Sequence, residues 1–129
     1  VVIAGLTLAG VAALVHVYIF VLESVLWTSE RARSTFGSGT VEQAAAQKDL
    51  AFNQGFYNLF LAIATALGIV LLAAGQQAVG ATLVLTGAGS MAAAALVLLV
   101  SSPDKAAAAL KQGVVPALGV IALAVGLAL

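Results

Sequence analysis

The stretch LAFNQGFYNLFLAIATALGIVLLAA, Leu50 to Ala74, carries no charged residue. A bilayer's hydrocarbon core is about 30 Å thick, and a helix rising about 1.5 Å per residue needs roughly 20 apolar residues to cross it. This stretch meets that length, and three others resemble it in kind. Together they place spans at about residues 1–27, 50–74, 78–100 and 106–129. The composition agrees, at 63% hydrophobic and 8% charged over 129 residues, with a mean hydropathy of +1.16. A soluble domain, by contrast, is about 45–50% apolar and about 25% charged. The expected fold is therefore all-α: a four-helix transmembrane bundle forming a single domain over residues 1–129, with lipid as its partner.

The signals between the spans are local. Trp27 ends the first apolar run, as an interfacial aromatic does. Thr28 or Ser29 is placed to cap a short interfacial helix reaching Phe36, and Gly37-Ser38-Gly39 then breaks the chain. Thr40-Val41-Glu42-Gln43 reads as a capping box, in which Thr40 caps and Gln43 reaches back. With no breaker before Gly55, that helix is expected to continue into the second span. Gly75-Gln76-Gln77 forms the second turn, and Ser102-Pro103 starts the last helix with proline in its first position. That helix spans fully if it begins near Ala106. In the third span, Thr82, Thr86, Ser90 and Ala94 recur every fourth residue beside Gly87 and Gly89. Small residues on one face allow helices to approach closely, and also offer a surface for homo-oligomers.

Charge sets the expected orientation. Arg31, Arg33 and Lys48 lie in the first loop and Lys105 and Lys111 in the third, so all five basic residues fall on one side and none in the second loop. The positive-inside bias makes both basic loops cytoplasmic, gives an N-out/C-out topology and points to the cell's inner membrane. The first segment, from about Val1 to Trp27, reads as a span rather than a secretory signal, because it carries His16, Tyr18, Glu23 and Trp27 in its second half and no cleavage site follows. A net charge of zero offers no field for nucleic acid. The absence of cysteine excludes disulfide and thiolate chemistry. No nucleotide loop or haem motif is present, so no cofactor is expected.

Polar groups inside a membrane are costly and turn toward protein or a wet cavity. His16, Phe20, Glu23 and Trp27 share one face of the first span. On the second span, Asn53 with Tyr57 and Gln54 with Asn58 form two adjacent i,i+4 pairs. If Trp27 and Leu50 mark one interface, Glu23 lies about 6 Å deep, Asn58 about 12 Å and His16 roughly 16 Å. The expected site is a pocket between these two spans. It opens to the cytoplasm, with Glu23, Trp27, Asn53, Gln54, Tyr57 and Asn58 as ligand-binding residues and His16 at its floor. Arg31 and Arg33 are expected at its mouth. Glu23 and His16 are the candidate catalytic acid and base. Two ligands without cysteine are too few for a metal, so none is expected. The plainer alternatives are a snorkelling Glu23, a core histidine bonded to a carbonyl, amides that only join helices, and Trp27 as a belt residue.

The same residues carry a resemblance. His16 with Tyr18, Leu22-Glu23, Leu26-Trp27-Thr28, Arg33 with Phe36-Gly37, and Asn53-Gln54-Gly55-Phe56-Tyr57-Asn58 followed by Phe60-Leu61-Ala62 resemble a bacterial membrane-protein family, domain of unknown function 1304. The resemblance is concentrated in residues 14–63 and implies a four-helix membrane fold but no activity. The chain departs from the family pattern at Val15, where many members carry an acidic residue. Three functions fit these observations. The first is binding or transport of a small amphipathic molecule. The second is a small membrane enzyme with isomerase-like acid/base chemistry by Glu23 and His16, an analogy of architecture only. The third is a structural or oligomer-forming subunit.

Overall fold

In a computed structural model describing residues 1–129, the chain forms six α-helices and no strands. The first, α1 (Val2–Phe20), continues into a wider turn over Val21–Val25, where the Leu26 amide donates five residues back to the Val21 carbonyl at 2.9 Å. Two short helices follow, α2 (Glu30–Phe36) and α3 (Val41–Ala45). The remaining helices are α4 (Lys48–Ala73), α5 (Gln77–Ser101) and α6 (Ala106–Ala128), the last preceded by a tight turn at Pro103–Lys105. Four helices are long and apolar enough to cross a membrane: α1 with its wide turn, α4, α5, and α6 with its lead-in turn.

Successive long helices run antiparallel and close into a ring, with α1 against α4, α4 against α5, α5 against α6 and α6 back against α1. Ala9, Val84, Ala88 and Leu123, fully buried, fill the centre. Ile3, Leu14, Leu96, Val97 and Ile121 all stand exposed, which places large apolar side chains on the outside. Such an exterior suits lipid, where backbone groups must be satisfied internally and hydrophobicity does not drive helix against helix. Close backbone approach does that work instead. A Cβ added to Gly5 would sit 2.6 Å from the Leu123 amide nitrogen, and one added to Gly68 would sit 2.7 Å from that of Val84.

The loop signals act locally, as read. Ser29 caps α2 by accepting from the Ala32 amide at 3.2 Å. Gly37, with φ 64°, ends the helix in the left-handed region, and the Ser38 amide closes back onto Arg33 at 3.2 Å. Thr40 and Gln43 form the reciprocal capping box.

Three expectations change. Thr40's helix does not run into the second span but stops at Ala45. There the Ala44 carbonyl, buried beneath Trp27, accepts from the indole Nε1 at 2.8 Å and from the Gln47 amide at 3.0 Å. It is thereby diverted from the i+4 bond that would carry the helix on. In α5, the face that packs is not Thr82, Thr86, Ser90 and Ala94, of which Thr82, Thr86 and Ala94 are exposed. It is Ala81, Val84, Ala88, Met91 and Ala95, spaced alternately three and four, a seam that follows both neighbouring helices. The third change concerns Trp27. It is only 9% exposed and packs on Phe36 with ring centroids 5.7 Å apart, so it pins the loop rather than joining an interfacial belt.

The first and third loops meet at one end of the bundle, where Gly37, Gln43, Gln47 and Lys105 border a common groove. Val2 packs near Gly126 at the opposite end.

Candidate polar cavity at the basic end of the bundle

The wide turn positions the first key side chain. In a regular helix Leu22, Glu23 and Ser24 would fan out by about 100° each. In the wider turn Leu22 and Glu23 are both buried, and the Ser24 hydroxyl donates to the Phe52 carbonyl of α4 at 2.7 Å. Such turns are rare and frequent at functional sites. Gly55 makes room for this one, since a Cβ there would collide with the Ser24 hydroxyl and lie 3.0 Å from its backbone nitrogen. The glycine of the Asn53-Gln54-Gly55 run is thus explained by contact with α1.

On α4 the buried stripe is Ala51, Gly55, Ala62, Thr65 and Gly68. Asn58 falls into this stripe between Gly55 and Ala62. Its Nδ2 donates to Glu23 Oε1 at 2.6 Å, the one direct link between polar side chains of α1 and α4. The same nitrogen donates to the Gln54 backbone carbonyl at 3.2 Å. His16, 2% exposed, has its Nδ1 2.8 Å from the Ala12 carbonyl. A carbonyl only accepts, so that nitrogen carries the proton and leaves Nε2 with its lone pair free in the neutral ring.

His16, Glu23, Gln54 and Asn58 line one cavity of about 270 Å³ together with Gln112 of α6. Trp27, Phe36, Met91 and Leu98 form apolar parts of its wall, and Lys105 borders it from the third loop. The site therefore lies inside the whole bundle rather than between the first two spans alone.

Of the sequence-derived site residues, Glu23, His16, Trp27, Gln54 and Asn58 come together. Asn53 and Tyr57 do not: both are exposed, Tyr57 to 63%. They lie about 100° around α4 from the Gln54–Asn58 pair, outside the stripe that packs. Phe20 also leaves the expected face and packs edge-on against Phe56, with centroids 5.0 Å apart. The arginines do not guard the mouth either. Arg33 is spent on the loop, donating to the carbonyls of Thr28 at 3.1 Å and Gly39 at 3.2 Å. Arg31 lies on an outer surface with Glu30, Ser34 and Thr35.

Sequence reading missed Gln112 and Lys105 as cavity residues. A signal for Gln112 was present, since it lies four residues before Pro116, which is inside α6. Proline has no N–H, so the Gln112 carbonyl loses its helical donor, and a polar residue sits where the backbone is also unsatisfied.

The fold and cavity define a small polytopic membrane protein with a polar chamber at one end of its bundle. The chain matches, over residues 10–124, the family described as protein of unknown function (DUF1304), and it belongs to that family. No curated protein and no solved structure matches it.

Proposed function

We propose that the chain binds or transports a small amphipathic molecule, taking it from the cytoplasmic side of the inner membrane into the cavity between Glu23, His16, Asn58 and Gln112. One observation carries this reading. Polar groups from three helices converge on open volume, yet only Asn58 and Glu23 bond to one another across it. Amides serving only to join helices would be expected to pair and close the space. The volume lies near the lower end of ligand sites, which run from roughly 300 Å³ upward. The mixed wall, amides and a carboxylate beside Trp27, Phe36 and Met91, suits a polar head on an apolar body.

Native mass spectrometry of the protein released from micelles tests this. Ala94 of α5, though partly open to the outside, also lines the cavity, and the expected result is a bound non-protein mass that is lost when Ala94→Phe fills it. A ligand-free spectrum, with Ala94→Phe as stable as the parent, would return the cluster to a purely structural role.

A second reading is favoured by His16 Nε2 and the Glu23 carboxylate opening into the same cavity. There they form an acid/base pair for proton transfer within a bound molecule. Under this reading Glu23→Gln keeps the ligand and loses turnover.

A further inference from the structure

Donor and acceptor accounting at the inner end of the cavity narrows the ligand. His16 commits its Nδ1 proton to the Ala12 carbonyl. Asn58 commits Nδ2 twice, to Glu23 and to the Gln54 carbonyl. Because that backbone carbonyl can only accept, the atom facing it is the amide nitrogen, and the other amide atom is therefore Oδ1. Three acceptors remain with no protein donor: His16 Nε2, Asn58 Oδ1 and the second oxygen of Glu23. None is sealed from solvent, because the only unpartnered polar side-chain atom fully buried is the Ser38 hydroxyl, in the first loop. All three residues line the cavity. Gln54 and Gln112 bring amide groups to the same lining, but the atoms of His16, Glu23 and Asn58 left free are all acceptors, one of them on a carboxylate with no lysine or arginine paired to it. The remaining charged group on the lining, Lys105, is exposed and belongs to the loop.

We propose that this inner end takes a primary ammonium group, which supplies from one compact centre both a positive charge and three N–H donors for Glu23, His16 and Asn58. This rests on the binding reading above and names its ligand class. The Trp27 and Phe36 rings, on the same lining, add aromatic faces that favour a cation. The ammonium comes from either a free small amine or the headgroup of an aminolipid.

Trp27 is the chain's single tryptophan and lines the cavity, so its fluorescence reports occupancy without a label. The protein in nanodiscs of phosphatidylcholine, whose headgroup has no N–H, is titrated with ethylammonium, tetramethylammonium and ethylene glycol. Ethylammonium should give a saturable change. Tetramethylammonium, with charge but no donors, and ethylene glycol, with donors but no charge, should each bind at least about tenfold more weakly. Glu23→Gln, with helicity checked by circular dichroism, should weaken ethylammonium by a similar factor.

Repeating the titration in phosphatidylethanolamine nanodiscs separates the sources. A midpoint moved to higher concentration marks the headgroup as occupant, and an unchanged one marks a free amine. Equal binding of ethylene glycol and ethylammonium by the unaltered protein overturns the ammonium assignment, as does no saturation by ethylammonium. A co-purifying mass lacking a basic nitrogen does the same, while leaving the binding reading intact.

Discussion

Asn58 reaches from α4 to the Glu23 carboxylate of α1 at 2.6 Å and donates from the same nitrogen to Gln54 one turn behind it. This amide therefore fixes the height of α1 against α4 and answers a carboxylate that is buried in the bundle. Hydrogen bonds between membrane helices are worth about 1–2 kcal/mol at most, because the unfolded chain in lipid also finds partners. Asn58→Leu should therefore destabilise the bundle by about 1–2 kcal/mol in mixed-micelle unfolding. If its stability equals that of the parent, the bond has no part in holding the two helices.

The glycines divide by what surrounds them. Gly5 meets the Leu123 backbone, which cannot give way, whereas Gly89 has nothing within 4 Å of an added Cβ. Gly5→Ala should therefore separate α1 from α6 and destabilise by about 1–3 kcal/mol. Gly89→Ala should be neutral or stabilising by up to about 1 kcal/mol, since alanine is the better helix former. The same unfolding assay compares the two, and equal effects would refute the packing account.

Trp27 holds the first loop through its bond to Ala44 at 2.8 Å and its stacking on Phe36. Trp27→Phe keeps most of the apolar contact but leaves the Ala44 carbonyl with one donor fewer. Faster amide exchange across α2 and α3 is expected, with α5 and α6 unchanged. Uniform protection throughout would show that the loop stands without this bond.

The absence of native cysteine makes topology directly measurable. Ser34→Cys marks the basic loop and Gln76→Cys the uncharged one, and both positions are exposed. In intact cells a membrane-impermeant maleimide should label Gln76→Cys and spare Ser34→Cys until the membrane is opened. The reverse pattern would put the basic loops outside.

The span count, the cap at Thr40, a cap at one of Thr28 and Ser29, and the meeting of Glu23 with Asn58 were legible in the sequence. Length, capping chemistry and the price of a polar group in lipid act over a few residues or along one helix. Asn53 and Tyr57 were not separable from Gln54 and Asn58 by these rules. All four are polar and neighbouring, and what divides them is the rotation of α4 about its axis. The Gly55–Ser24 contact sets that rotation, which depends on the wide turn at Val21–Val25 in another helix.

The sequence by itself determined that this chain is a membrane-spanning bundle and where its short loop helices begin, because solvent preference and end-capping are written locally. Only the tertiary structure decided that the chamber lies among all the spans, bordered by Gln112 and Lys105. It also decided that Arg33 serves the loop. Those outcomes depend on which faces of distant helices meet, and small residues such as Gly5 and Gly68 set that through backbone contact rather than through any pattern of hydrophobicity.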